Sequence, residues 1–496
     1  MLHLGEGVGR GVRWILILGA GLLMAAGFRL PPGAAAAGNI YYVSTSGKDA
    51  WPGTLAQPWR TIQHAANRLQ PGDTVYVRQG TYHEQVKPVY SGTADADITY
   101  RVYTGEVATL DGTGFQPPAY DPDALSGLFE VDSLSYLRVS GLHIANAQWY
   151  TNTAGLLVQG SDVLHPSSYI TIEGVSTYNT ASSGIGIWFG DHVQVGDNRI
   201  EQAGNYRPSQ AGYQECLTVS ESQDFAVYGN TVLNCRKEGI CAKQSHHGQV
   251  YGNRVWNTDA VGIYIDAEGT PGGDGGSDIA VFDNVVHDTA TNGIALATET
   301  GGLLDDVRVY NNVSYHNQLV GVQLSNCCDF SGPIAHPLHN IVVINNTLYA
   351  NGWTTSTSPW GGGISIDSPE VETATVRNNI VSQNYTFQIA VVPTPTLTID
   401  YNLVDGNFGD PGEGATVGAN PIIGSPLFYN AGGADFHLLP ASPAIDAASP
   451  DLAPSADFDG RARPLDGNND GTAAFDIGAY EMPYFSYHAY VPLCRR

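Results

Sequence analysis

Between residues 215 and 268 the chain gathers Glu215, Glu238, Lys243, Tyr264, Asp266 and Glu268. Carboxylates beside an amine suit two ways of breaking a sugar polymer. In β-elimination a base removes the weakly acidic proton next to a uronate carboxylate while a cation neutralises that carboxylate. Glu215, Glu238 and Asp266 offer hard oxygen ligands for Ca²⁺, and Lys243 is then the base. Bound calcium offsets the field of the carboxylates, which would otherwise keep Lys243 protonated. In glycosidic hydrolysis two carboxylates divide the roles of acid and of base or nucleophile. Glu238 and Asp266 are the first pair for that scheme, with Glu215 and Glu268 as substitutes. Trp188 and Tyr264 supply rings that stack on sugars under either scheme. Segments 201–213 and 269–278, with His246 and His247, would wall the site, and Arg236 and Lys237 read as solvated loop residues.

These residues meet only if distant parts of the chain are brought into vertical register, and the sequence contains a device for that. From Tyr136 to Val404 one phrase recurs: a short apolar strand, an Asn corner, a second strand, then Gly-Ile-x-Ile. The corner residues Asn198, Asn230, Asn253, Asn284, Asn312, Asn346 and Asn379 are 32, 23, 31, 28, 34 and 33 positions apart. A core turn of 20-odd residues thus carries insertions of varying length, and such a unit buries its apolar face only against copies of itself.

Within each turn the apolar residues alternate with period two, as in strands. Aligned phrases give an inward stack of Ile185, Leu217, Ile240, Ile263, Ile294, Val322 and Ile364, and a second of Val195, Val227, Val250, Val281, Val309, Val343 and Val376. A third begins two places after each corner Asn. Three faces of short parallel strands with almost no helical periodicity predict an all-β, single-stranded, right-handed parallel β-helix. The corner Asn tolerates a left-handed backbone and can hydrogen-bond to its copy one turn away, which makes it structural. In this register Lys243 and Asp266 point outward in one column, Cys241 and Tyr264 in another, with Glu215 and Glu238 two places before the inward stack.

The opening from Tyr41 through Pro52-Gly53-Thr54 and Pro58-Trp59 to Gly80-Thr81-Tyr82 resembles the N-terminal region of secreted β-helix polysaccharide lyases and glycosidases of the pectin-lyase-like kind, including the family-nine pectate lyases. Its amphipathic stretch Thr61 to Leu69 suits a cap on the open end of the coil. Glu238-Gly239-Ile240-Cys241-Ala242-Lys243 resembles the Glu-and-Lys strand of calcium-dependent β-helix lyases, where the following turn usually offers Arg; here Asp266 stands there. Ser442-Pro443-Ala444-Ile445-Asp446 and Asp476-Ile477-Gly478-Ala479-Tyr480-Glu481 resemble the small choice-of-anchor module of bacterial surface β-helix proteins, implying attachment to a cell envelope. Inside it Asp466, Asn468 and Asp470, with Gly471, match the first half of a calcium loop, though position twelve is Ile477 rather than Glu.

The expected layout is a signal peptide over 1–37, an N-terminal cap and first coils over 38–130, β-helix repeats over 131–405, the C-terminal module over 406–482 and a tail over 483–496. Residues 1–37 place Arg10 and Arg13 before an apolar run and Ala34 to Ala37 after it, a secretory layout. Removing them takes away three Arg and one Glu and moves the formal charge from −26 to −28. That acidity argues against nucleic acid and favours solubility outside the cell; it weighs against an acidic polysaccharide unless calcium bridges the two, which keeps neutral or partly neutral glycans in play, and no later run is long enough to span a bilayer. The six cysteines lack a CxxC pair, so zinc is not expected; Cys216, Cys235 and Cys241 lie on adjoining turns and can supply one disulfide. A non-catalytic surface rod or adhesin uses the same stiff coil, but would spread its polar residues along the rod rather than collect them near 215–268.

Overall fold

The computed structural model describes residues 38–116, 124–205, 214–267, 275–299, 301–325, 335, 337–354, 361–392, 396–410 and 414–483. Successive strands pass in rotation to three parallel sheets, and each strand pairs with its counterpart one turn away. The first sheet runs from Ile40–Val43 to Leu397–Asp400, the second from Gly80–Tyr82 to Ile422–Ile423, and the third from Ser126–Asp132 to Phe387–Val391. This is a parallel β-helix, as the repeat requires.

The expected stacks form in register. Ile185, Leu217, Ile240, Ile263, Ile294, Val322 and Ile364 are successive Cα partners in the third sheet. Val195 to Val376 do the same in the first, and Ile200, Val232, Val255 and Val286 in the second. All are buried in one continuous core. Where the second-sheet stack reaches position 314 it holds a serine, whose hydroxyl donates to the Gly321 carbonyl at 2.9 Å and so satisfies its burial.

The asparagines form a ladder from Asn198 to Asn402. Each backbone N–H and side-chain amide donates to the Oδ1 of the next Asn at 2.9 to 3.0 Å. The left-handed backbone expected at these asparagines belongs instead to the residue before each: Asp197, Gly229, Gly252, Asp283, Asn311, Asn345, Asn378 and Tyr401 all have φ between 53° and 63°. The division follows from chemistry, since the bend turns the next side chain inward, where an amide can serve both neighbours. The glycine of the Gly-Ile phrase is steric in origin. A Cβ at Gly239, Gly262, Gly293 or Gly321 would lie 2.6 to 2.8 Å from the carbonyl oxygen of the corresponding glycine one turn on.

At the start, helix Ile62–Ala66 is capped by the Thr61 hydroxyl, which accepts from the His64 N–H, and by Glu84, whose carboxylate accepts from the Ile62 and Gln63 N–H groups at 2.9 Å. Ile62, Ala65 and Ala66 pack into the core beside the first strand. Past residue 405 the chain folds back along the coil. The side chains of Asn311, Asn345 and Asn378 donate to the carbonyls of Ala456, Asp476 and Ser449. Phe436, Ala479 and Tyr480 pack on Val313, with Val285, Tyr315 and Tyr349 around them. This module therefore docks on the coil itself.

Candidate functional site

The third sheet presents its outer face between strands Leu217–Ser220, Ile240–Lys243, Ile263–Asp266 and Ile294–Ala297. Ser220, Lys243, Asp266 and Ala297 are Cα partners in one outward column; Thr218, Cys241, Tyr264 and Ala295 form the next. Both columns are largely buried although they face away from the coil interior. The corner after this sheet is pinned by serines: the Ser222 N–H donates to the Ser245 hydroxyl, which itself donates to the Lys243 carbonyl at 2.8 Å.

Lys243 Nζ donates to Glu215 Oε1 at 3.1 Å, and Lys237 Nζ stands 3.7 Å from the same oxygen and 3.9 Å from Glu238 Oε2. The Thr218 hydroxyl donates to the other Glu215 oxygen at 3.0 Å. Burial pushes the Glu215 carboxyl up, but the Lys243 and Lys237 ammonium groups outweigh it and hold the group below the usual range. Glu238 goes the other way: burial and the adjacent negative Glu215 push it up, and its Oε2 is buried without a hydrogen-bond partner among the described residues. Asp266, 2% exposed, accepts from the Glu299 N–H at 3.0 Å. Burial pushes the Cys241 thiol and the Tyr264 phenol well up, so both are neutral neighbours.

Glu215, Glu238, Lys243 and Asp266 therefore come together, as does Lys237, which the sequence reading left in solvent. A basic residue directly before the Glu-Gly-Ile phrase is the signal that could have found it, since that corner folds onto the buried Glu215. Tyr264 and Trp188 are on the same sheet but lie down on it rather than standing open. Tyr264 packs on Cys241, Ala295 and Ala297, and Trp188 on Ala154 and Leu157, over the space left by Gly186. Small neighbours leave room for each ring to collapse.

His246 and His247 stand around the corner from the Lys243–Asp266 column. They begin strand His246–Tyr251 of the first sheet, with His246 Nδ1 2.9 Å from the Ser277 hydroxyl and His247 Nδ1 2.9 Å from Asp278 Oδ2. The Asp278 carboxylate pushes His247 up. Glu268, segments 206–213 and 269–274, and Cys327, Cys328 and Cys494 lie outside the described residues. One disulfide joins Cys216 to Cys235, and Cys241 is a buried free thiol.

The expected calcium set does not converge as a cage. Glu215 is already neutralised by ammonium groups, Glu238 is shifted toward its neutral acid, and Asp266 is held by the next turn. Among the described residues, the one group of three such donors lying within 4.8 Å of one another is Asp191, His192 and Asp224, on the first sheet. In the C-terminal loop the oxygens of Asp466, Asn468 and Asp470 accept from backbone N–H groups of Asp470, Gly471 and Thr472.

Residues 41–236 match the family model described as Pel9A-like, right handed beta helix region. Residues 196–357 match one described as periplasmic copper-binding protein (NosD), and residues 304–423 one described as disaggregatase related. The uncharacterized protein YwoF of Bacillus subtilis (strain 168) is 26% identical over 381 residues, 70% of this chain and 75% of that protein. Pectate lyase PEL9 of Emericella nidulans is 23% identical over 446 residues, 84% of this chain and 94% of that one. The solved complex of XylC with xylose superposes with a TM-score of 0.51 at 14% identity, covering 89% of this chain and 98% of that one, which is a likeness of fold. The chain is a right-handed parallel β-helix protein, and its residues 41–236 match the model of the Pel9A-like β-helix region.

Proposed function

We propose that the chain is an exported enzyme that cleaves a uronate-bearing polysaccharide by β-elimination, with Lys243 as the base. The observation that carries this reading is the Lys243 amine on an outward ledge, 3.1 Å from a buried carboxylate that is held ionised. Export through residues 1–37 would place it among extracellular glycans, and similarity to a pectate lyase over 84% of the chain supports the substrate class.

In this scheme Lys243, an ammonium while it is paired with Glu215, must first lose that proton, with Lys237 then left to balance Glu215, and the resulting amine takes the proton beside the uronate carboxylate. The released electron pair forms the C4–C5 double bond, and the C4–O bond to the leaving sugar breaks. That oxygen needs a proton, and Glu238, whose carboxyl burial and Glu215 push up, is assigned as the donor. As Lys243 becomes an ammonium, the charge that develops on it is met by Glu215. Lys237 stays paired with Glu215 while Lys243 is neutral, and offers positive charge to the substrate carboxylate. No step is assigned to calcium, because the three carboxylates do not gather around a common point.

A second reading is hydrolysis, favoured by the opposite displacement of Glu238 and Glu215: a pair whose environments push them apart is suited to acid and base roles. The deciding experiment incubates the protein with polyuronates and neutral glycans, with and without chelator, following ultraviolet absorbance of the unsaturated product and reducing ends together. Absorbance that disappears in Lys243→Ala supports elimination. Reducing ends without absorbance favour hydrolysis, and silence on every glycan favours a structural rod. Activity that survives the chelator agrees with the metal-free scheme; loss that calcium restores overturns it.

A further inference from the structure

Away from the site already described, the first sheet carries the one group of metal-ligating side chains, among the described residues, whose donors converge. One ligand atom each from Asp191, His192 and Asp224 lies within 4.8 Å of the others. We propose that these three residues bind a borderline-soft divalent metal ion, Zn²⁺ or one of its first-row neighbours, at a site separate from the Lys243 ledge. The inference does not rest on the polysaccharide reading.

The register of the coil places the ligands. Asp191 is the Cα partner of Gln223, and Val193 that of Phe225, so His192 and Asp224 fall at the same step of neighbouring turns. Regular alternation would send Asp191 and His192 to opposite faces, but His192 has a left-handed backbone, φ 54°, that breaks it. His192 Nδ1 consequently lies 2.7 Å from Asp191 Oδ1 and 3.9 Å from Asp224 Oδ2. The two gaps straddle the separation of about 3.3 Å that donors keep around a tetrahedral Zn²⁺ ion. Small rotations of the two carboxylates would bring all three onto one ion.

The imidazole is held before any ion arrives. Its ring stacks on Tyr169 at 4.5 Å, and Tyr169 stacks on Tyr136 at 4.6 Å with the two planes 2° apart. A ring fixed in this way loses less freedom on binding. A groove of about 470 Å³ opens over His192 and Asp224 and is lined also by Tyr136, Tyr169, Gln194 and His247. It leaves the fourth coordination position to water or a small ligand, the arrangement of a metal with three protein ligands and one open place.

Donor chemistry sets the class of ion. An imidazole with two carboxylates suits Zn²⁺, Cu²⁺ or Ni²⁺, whereas Ca²⁺ takes roughly six to eight oxygen ligands. Two carboxylates and a neutral imidazole also balance the charge of a divalent ion. In the tautomer whose Nδ1–H donates to Asp191, that proton leaves to solvent as the ion takes its place. Other His–Asp clusters lack this convergence. Asp435 and Asp459 face opposite nitrogens of His437, Nδ1 at 2.6 Å and Nε2 at 2.9 Å, so one ion cannot reach all three. Asp288 meets His287 and His316 through different oxygens.

The test is calorimetric titration of the metal-free full chain with Zn²⁺, and with Ca²⁺ for comparison. Zn²⁺ should saturate a site that Ca²⁺ fills at least ~10-fold more weakly. His192→Phe keeps a ring against Tyr169 but has no nitrogen, and Asp224→Asn keeps its shape but loses the charge. Each should weaken Zn²⁺ binding at least ~10-fold, since even the outer partners of metal ligands are worth that much. Lys243→Ala, on the third sheet, should leave it unchanged. Zn²⁺ should raise the melting temperature of the unsubstituted chain and not of the two site variants, whose melts without metal report their folding. Zn²⁺ binding that both variants retain assigns the ion to another His–Asp pair and overturns the inference. Absence of saturable Zn²⁺ binding, equal affinity for Ca²⁺, or an equal loss in Lys243→Ala overturns it as well.

Discussion

Glu215 Oε1 accepts the Lys243 ammonium at 3.1 Å although 28 residues separate the two in the chain. One turn of the coil closes that gap, because Leu217 and Ile240, the inward neighbours of the pair, are Cα partners. Replacing Lys243 by Ala should lower elimination at least ~100-fold, the usual scale for a positioned proton-transfer group. The fold should survive, since Lys237 remains 3.7 Å from Glu215. The check is the rate of absorbance increase on a polyuronate beside a circular dichroism spectrum of the variant.

Glu238 makes a prediction about pH. Its carboxyl is pushed up by burial and by Glu215, and it must be protonated to donate to the leaving oxygen. Activity should therefore fall as pH rises through the shifted pKa of Glu238, and Glu238→Gln should remove that alkaline limb together with most of the rate. A pH–rate profile of kcat for both forms decides it; an unchanged limb in Glu238→Gln would assign the descent to another group.

The asparagine ladder gives a stability prediction. In Asn253→Ala the Asn230 N–H and the Val227 carbonyl lose their partner inside the core. Each buried group left unpaired costs about 1 to 3 kcal/mol, so the variant should lose about 2 to 6 kcal/mol. Denaturant unfolding measures it, with Tyr401→Ala, at a left-handed corner rather than on the ladder, as a comparison that should cost less.

The C-terminal module carries a pH dependence of its own. Asp476 is pushed up to about 7 by burial and by Glu481, close to the Arg463 ion pair with Glu481 at 3.3 Å. A raised carboxyl pKa means that the native state keeps its proton while the unfolded chain has already lost it. The resulting stability is full below the ordinary aspartate range near 4, declines as pH rises, and is gone above about 7. Thermal unfolding followed at the module should shift to lower temperature between pH 4 and 7, and the slope should flatten in Asp476→Asn.

Much of this architecture is written in the order of residues. A repeated corner Asn, a Gly-Ile phrase and period-two alternation suffice to derive the three sheets and their inward stacks, because a coil has one way to keep every apolar side inside. Another signal was present and easily passed over. The outward position after each ladder Asn reads Arg199, Thr231 and Arg254, then Val285, Val313, Thr347, Ile380 and Leu403, all in one register. A solvent-facing column that turns apolar requires a cover, and the returning C-terminal module is that cover.

The coil, its register and the meeting of Glu215, Glu238, Lys243 and Asp266 follow from residue order alone, since strand pairing moves whole turns and carries their outward residues along. Where flexible side chains and corners turn is settled in space, by the neighbours each one meets. Lys237 swings onto Glu215, Trp188 and Tyr264 lie flat against small neighbours, and His246 and His247 pass around the corner to another sheet. Those outcomes depend on local space and on charges met across turns, quantities that a period in the sequence does not contain.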